Sequence, residues 1–200
     1  ATGDPDAADI ISIQTTLSDW AGISLGEYRI TGPGAYNSGW LALDGAGDAT
    51  WDSSVANAEG THTLDVRATD ASTATNQGTS LAIDTFTLTD ATGPSIVVNL
   101  ITANGDPDVP TIINIQTTLS DWSGIASGEY LITGPVSYSS GWLPLDGAGD
   151  ATWDSSAALN EGVHTVNIRA TDASIGANVN DPVGNEGTIT LPDLTVPDMV

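Results

Sequence analysis

The chain contains no cysteine and no lysine. Without cysteine there is no disulfide framework and no thiolate metal site, and the redox compartment leaves no mark on the sequence. Without lysine there is no Walker-type phosphate loop, and no lysine–asparagine isopeptide cross-link of the kind some surface fibres use. Arg29, Arg67 and Arg169 face 26 acidic residues, for a net charge of −23. Such a chain is repelled by nucleic acid and by anionic membranes, so neither is an expected partner. Apolar runs such as Ile96–Val98 are far too short to cross a bilayer, which argues against membrane insertion. No Asn-x-Ser/Thr acceptor site occurs. Neither a signal peptide nor an initiator Met precedes Ala1, which suggests a mature or excised chain. The acidity has two readings: it keeps a surface soluble, even in high salt, or some carboxylates hold divalent cations that relieve their repulsion.

What the chain does have is a duplication. Leu43–Ser54 returns letter for letter as Leu145–Ser156, an offset of 102 residues. The same offset carries Gly3–Asp6 onto Gly105–Asp108, Ile13–Trp20 onto Ile115–Trp122, and Arg67–Ser72 onto Arg169–Ser174. A period near 100 is too long for a solenoid and matches a whole small domain. Two domains are therefore expected, 1–93 and 94–200, each able to close one sandwich core.

Everything periodic has period two. Ile11, Ile13, Thr15 and Leu17 share one strand face, with Ser12, Gln14 and Thr16 on the other; Ile113, Ile115, Thr117 and Leu119 repeat the pattern. His62, Leu64, Val66 and Ala68 alternate equally well, as do His164, Val166, Ile168 and Ala170. Gly, Pro, Asn, Asp and Ser cluster between these runs, as turns require, and no helix is evident. The fold class expected is all-β, two β-sandwiches in tandem. Lettered strands fall near 9–18 (B), 26–32 (C), 39–44 (D), 49–55 (E), 61–69 (F) and 83–90 (G). Ser95–Asn104 serves as strand A of the second domain.

The succession Leu-Ser-Asp-x-x-Gly-Ile, Glu-Tyr-x-Ile, Gly-Trp, Thr-Trp-Asp and Glu-Gly-x-His-Thr-x-x-x-Arg-Ala-Thr-Asp resembles prokaryotic extracellular immunoglobulin-like repeats. Such repeats occur in adhesins, surface-layer proteins and fibres. The resemblance covers nearly all of both copies and implies immunoglobulin-like sandwiches arranged end to end, on the outside of the cell. It says more about fold than about role, since this sandwich hosts many functions. Trp20 and Trp122 depart from it, standing where such repeats often carry a small residue.

The first domain has no counterpart of strand A, and Leu194–Val200 aligns with the linker that leads into one. Two readings stand: a window on a longer array, or a polymerising subunit whose 194–200 segment completes domain 1 of a neighbour. The expected partners are thus copies of this chain or adjacent domains of the same type.

Strand alternation gathers loops at two poles of each sandwich. Asp121, Asp146, Asp150 and Asp172 are expected at one pole of domain 2. Asp4, Asp6 and Glu59 are expected at the opposite pole of domain 1, with Asp90 in the linker. These eight acids are expected to converge on the junction between the domains and are the candidate Ca2+ ligands, because calcium takes six to eight oxygens from carboxylates, carbonyls and water. The bland reading is that they are turn acids capping loop backbone. Asp44-Gly-Ala-Gly-Asp48 is an ordinary hairpin turn or a second cation site. Trp20, Trp40, Trp51 and their repeats favour packing over stacking on sugars. His62 and His164 fit a structural role, like the corner tyrosine of such sandwiches. No hydrolase elbow, zincin motif or phosphate loop is present. The expected function is a non-catalytic, extracellular structural module, calcium-stiffened. The alternative is a recognition module binding carbohydrate or a host receptor.

Overall fold

The computed structural model of the chain describes residues 2–102, 104–158, 160–181 and 186–196. It divides into two compact units, unit 1 built on Ala1–Thr92 and unit 2 on Gly93–Ala173 and Ala177–Val200. Unit 1 holds β1 (Thr2–Gly3), β2 (Ile10–Gln14), β3 (Ile23–Gly32), β4 (Tyr36–Asn37), β5 (Leu41–Ala42), β6 (Asp48–Asp52), β7 (Gly60–Asp70) and β8 (Gln77–Leu88). Unit 2 holds β9 (Ser95–Ile101), β10 (Ile112–Ser120), β11 (Ile125–Gly134), β12 (Tyr138–Ser139), β13 (Leu143–Pro144), β14 (Asp150–Asp154), β15 (Gly162–Asp172), β16 (Val179–Asn180) and β17 (Gly187–Leu191). Among the described residues the only helical turns are short 3₁₀ pieces, such as Ser53–Val55. The fold is all-β, two sandwiches of immunoglobulin type.

In unit 2 one sheet runs β14–β10–β9; the other runs β12–β11–β15–β16, with β13 also on β11 and β17 also on β15. These are the A-B-E and C-F-G sheets of the lettered strands. Their facing residues alternate as the sequence requires. Ile113 and Ile115 of β10 are fully buried, and so are Ile132, Val166 and Ile168 on the opposite sheet. Each such side chain contributes roughly 1.5–3 kcal/mol by leaving water.

The strand expected at 39–44 is reduced to Leu41–Ala42, which pairs with Glu27 and Tyr28 of β3. The cause is Ser38. Its Oγ accepts from Ile30 N–H and donates to the Gly39 carbonyl, replacing ladder bonds, and Gly39 then turns at φ 69°. The last strand of unit 1 starts earlier than its apolar pattern suggests, at Gln77. Ala82 sits there at φ 52° and donates its N–H to Asp65 Oδ1, a bulge that interrupts the alternation.

The two copies differ at one edge. Ile13–Trp20 and Ile115–Trp122 are identical, yet β2 ends at Gln14 and β10 runs to Ser120. β10 lies between β14 and β9, whereas β2 pairs with β6 alone among the described residues.

The histidines lie in aromatic boxes. The His62 ring is fully buried, 5.6 Å from Phe86, 5.9 Å from Tyr36 and 6.1 Å from Trp51, centroid to centroid. Its Nδ1 lies 3.1 Å from the Gly60 carbonyl, and its Nε2 is buried without a hydrogen-bond partner. That geometry suits the neutral ring with the proton on Nδ1. Burial pushes the His62 pKa down, against a smaller upward pull from the Gly60 carbonyl. The unfolded chain therefore takes up the proton first as pH falls. Stability from neutral His62 is complete above the unfolded pKa, about 6.5, and is lost as pH drops toward the folded value. Unit 1 should lose denaturant midpoint between pH 7 and pH 5, and His62→Phe should flatten that dependence. An unchanged slope in His62→Phe would show that other groups carry it.

Candidate metal sites at the poles of the units

Asp4-Pro5-Asp6 opens a tight turn. Proline presets the second position of such a turn, and the aspartate before it caps the backbone. Asp4 Oδ1 accepts from Asp6 N–H at 2.9 Å, and Asp4 N–H donates to Asp9 Oδ2 at 2.9 Å. The other Asp4 oxygen reaches the segment that follows β8, accepting from Ala91 N–H at 3.2 Å and Thr92 Oγ1 at 2.9 Å. Glu59 Oε1 accepts from Asp90 N–H at 2.8 Å, and Asp90 itself is buried. Asp4 and Glu59 are thus tied through residues 90–92 at one pole of unit 1, yet among the described residues no group of three acids close enough to share an ion includes Asp4, Asp6 or Glu59. Asp6 stays on the exposed rim of the same turn.

Unit 2 repeats the arrangement. Asp106 Oδ1 accepts from Asp108 N–H at 2.9 Å, and Asp106 Oδ2 accepts from Leu194 N–H at 3.3 Å. Asp108 Oδ2 accepts from Thr195 Oγ1 at 2.9 Å, and Glu161 Oε2 from Asp193 N–H at 3.4 Å. Carboxylate oxygens of Asp106, Asp108 and Asp193 lie within 4.8 Å of one another. This set was not singled out among the sequence candidates. The signal was present: the repeat offset moves Asp4, Asp6 and Glu59 onto Asp106, Asp108 and Glu161, and one inserted residue puts Asp193 opposite Asp90.

Of the remaining candidates, Asp121 and Asp172 approach each other within 4.8 Å in unit 2. Asp121 Oδ1 accepts from the N–H and Oγ of Ser123, while Asp172 accepts from the N–H and Nδ2 of Asn178. Asp146 stands in the turn between β13 and β14, and Asp150 opens β14. Among the described residues neither joins a group of three acids close enough to share an ion. Asp146 Oδ1 accepts from Ala148 and Asp150 N–H, each at 2.9 Å, and these bonds hold its pKa below the ordinary carboxylate range. Asp44 does the same in unit 1. These aspartates cap a glycine turn, with Gly47 at φ 89° and Gly149 at φ 86°.

The arginines are committed elsewhere. Arg67 Nε donates to Glu27 Oε2 at 2.6 Å, Arg169 Nε to Glu129 Oε2 at 2.7 Å, and Arg29 Nη2 to Asp65 Oδ2 at 2.7 Å. The hydrogen bond from Arg67 lowers the Glu27 pKa. Burial pushes Asp65 up, but the Ala82 N–H and the Arg29 guanidinium outweigh it and hold its pKa low. The same arginines cover tryptophan. Arg29 and Arg67 lie 4.8 and 4.3 Å from the Trp40 ring centroid, and Arg169 lies 4.2 Å from that of Trp142. Trp51 and Trp153 are core residues. Trp20 departs from the packing expectation: it stands beyond the end of β2 and is fully exposed.

The sequence matches no protein-family model and no curated protein. Solved structures with some likeness include the fibronectin(III)-like modules of Clostridium thermocellum CbhA, 16% identical with a TM-score of 0.36, covering 100% of this chain and 93% of that one. A tetra-tandem repeat in the extending region of a large adhesion protein is 15% identical with a TM-score of 0.41, covering 92% of this chain and 49% of that one. A Ca2+-stabilized adhesin of an Antarctic bacterium that binds ice is 16% identical with a TM-score of 0.32, covering 94% of this chain and 45% of that one.

Proposed function

We propose that the chain is a non-catalytic structural module of an extracellular fibre, surface layer or adhesin stalk. In this reading its acidic poles take Ca2+, and its open edge in unit 1 is completed by a neighbour's strand. The observation that carries the reading is where the charges sit. Acids gather at the same pole of both copies, and all three arginines are ion-paired on the C–F faces instead. No lysine exists to take their place. The donors at the poles are carboxylates and a threonine hydroxyl, with no imidazole or thiol. That is a set for a hard cation such as Ca2+ and not for zinc.

Asp106, Asp108 and Asp193 would hold the ion in unit 2, and Asp4, Asp6, Glu59 and Asp90 in unit 1. Asp121 and Asp172 form a further carboxylate pair of the same chemistry. Bound Ca2+ would cancel the mutual repulsion of these acids. It would also fasten the segment leaving each sandwich to the turn before its strand B, since the same side chains already bridge the two. An array of such modules is stiffened wherever that exit segment is held. The part played by tryptophan supports a scaffold over a sugar-binding surface, because Trp40 and Trp142 are capped by arginine and Trp51 and Trp153 are buried.

The test is thermal unfolding with Ca2+, with Mg2+ and with chelator. A ligand at about 100 times its Kd stabilises by about 2.7 kcal/mol. For domains of this size that is about 10–20 °C in Tm. Asp106→Asn should remove the gain from unit 2 and leave that of unit 1. Identical melting curves with Ca2+ and chelator would sink the calcium reading.

A further inference from the structure

We infer that Asp4 and Asp106 are load-bearing latches. Each carboxylate carries tension from the segment that leaves its sandwich to the strand by which the chain enters it, past the core. This rests on the reading of the chain as one module of an array, and it says what such a module does when the array is pulled.

β1 and β8 run parallel, with Thr2 opposite Thr87 and Gly3 opposite Leu88. Thr89 N–H adds a bond to the Gly3 carbonyl at 3.0 Å. Parallel pairing fixes how a pull on the chain is felt. The chain runs into the unit through β1 and out through β8, so drawing those two apart slides one strand along the other. Every bond between them is then strained at once, and none can be peeled before the next. Glycine permits the close approach: a Cβ at Gly3 would lie 3.1 Å from Ile11 Cδ1 and 3.2 Å from Leu88 Cδ2. In unit 2 the pull arrives through β9 and meets the same patch. Asn104 bridges Thr190 in parallel, and Gly105 N–H donates to the Thr190 carbonyl at 3.2 Å. A Cβ at Gly105 would lie 2.9 Å from Leu191 Cδ2.

The patch is short, and Asp4 extends it. Its Oδ1 caps its own turn, accepting from Asp6 N–H. Its Oδ2 reaches across the unit to Ala91 N–H and Thr92 Oγ1, which lie 87 and 88 residues away in the chain. A pulled exit segment therefore meets Asp4 before it meets the paired strands. Asp4 is in turn fastened to the body of the sandwich: its carbonyl accepts from Ser53 Oγ at 2.8 Å, and Ser53 is fully buried. Asp106 repeats the device. Its Oδ2 accepts from Leu194 N–H, and its carbonyl accepts from the fully buried Ser155 Oγ at 2.7 Å.

Other turn aspartates of the chain set the contrast. Oδ1 of Asp44 and of Asp146 accepts from N–H groups two and four residues ahead. Local bonds of that kind are all that a turn requires. Asp4 keeps one oxygen for its turn and gives the other to the far end of its unit. Hydrogen bonds to a charged group are the strong ones, and the two on this oxygen oppose a pull along the chain. Load that crosses at Asp4 leaves the core strands β3 and β7 unstretched.

The test is unfolding of the full chain under constant force, in chelator so that no divalent cation contributes. The chain holds no cysteine, so two introduced ones set the points of attachment. Placed ahead of Ala1 and after Val200, they load both latches. Placed as Val136→Cys and Ala148→Cys, in the exposed turns after β11 and β13, they pull across unit 2 without loading its latch. Asp106→Ala should speed the unfolding of unit 2 at least about tenfold under the first pull and less than about threefold under the second. Asp146→Ala also takes a carboxylate from two N–H groups, but off the load path, and should change the end-to-end rate by no more than about twofold. Thr92→Val removes one latch bond from an exposed residue and should speed end-to-end unfolding of unit 1 by about three- to tenfold. It decides the matter if Asp106→Ala does not fold. Equal acceleration under both pulls, no acceleration end to end, or an equal effect of Asp146→Ala overturns the latch, and Asp106 is then a turn cap and nothing more. That outcome leaves the module reading standing, since the calcium melts test it without force.

Discussion

Gly134→Ala should destabilise unit 2 by about 3 kcal/mol. A Cβ at Gly134 would fall inside contact distance of His164 Cδ2 and Nε2, and one at Gly32 would meet His62 in the same way. Neither ring has room to yield. His164 is fully buried, its centroid lies 5.6 Å from that of Tyr138 and 6.1 Å from that of Trp153, and its Nδ1 lies 3.3 Å from the Gly162 carbonyl. Overpacking a well-filled core costs about 1–3 kcal/mol and occasionally more. A rigid ring against backbone belongs at the upper end of that range. About 3 kcal/mol lowers Tm by roughly 12–24 °C in a domain of this size. Gly147→Ala is the matched control, since its Cβ would meet nothing within 4 Å. Adding His164→Ala to Gly134→Ala should cost less than the two changes summed, because the clash disappears with the ring. Denaturant unfolding of the four chains decides the matter; a Gly134→Ala midpoint equal to that of Gly147→Ala would show that the ring moves aside freely.

That glycine explains part of what could and could not be read from the sequence. Alternation placed His62, Leu64 and Val66 inward because strand faces have period two and one face must leave water. The 102-residue offset then placed their twins. Gly32 and Gly134 gave no such sign: each looks like a turn glycine at the end of a strand, and its need becomes visible only when the facing sheet brings the imidazole over it. The pairing of Glu27 with Arg67, 40 residues apart, depends likewise on the register of β3 against β7. Trp40 lies against two arginines for the same reason. The acids were legible as a class, because Asp-x-Asp before a strand and Glu-Gly before the next recur in both copies. Their grouping was less so. Loop alternation put Asp146 and Asp150 at the same pole as Asp121 and Asp172, but the Asp146 carboxylate is occupied by the N–H groups of Ala148 and Asp150 in its own short turn.

Trp153→Ala should cost unit 2 about 3–5 kcal/mol, the usual range for removing a large buried ring. For a domain whose whole stability is of order 5–15 kcal/mol, that is a large fraction. Trp153 sits on β14 opposite Ile113, is nearly buried, and shares its box with Tyr138 and His164. Trp51→Ala should cost unit 1 a similar amount and in addition strand the Tyr36 hydroxyl, which now accepts from the indole N–H at 3.2 Å. Trp20→Ala should change stability by no more than about 0.5 kcal/mol, as exposed substitutions do. The same three variants give an optical check. Acrylamide quenching of tryptophan fluorescence should lose its most accessible component in Trp20→Ala and keep it in Trp153→Ala. A destabilised Trp20→Ala chain would mean that the B–C turn packs on something in solution. The packing expected from the repeat would then hold for all three tryptophans. A neutral Trp20→Ala leaves a large apolar ring in water just past the open end of β2. Single apolar side chains commonly stand in water on folded surfaces, so a neutral result assigns Trp20 no part in holding the fold.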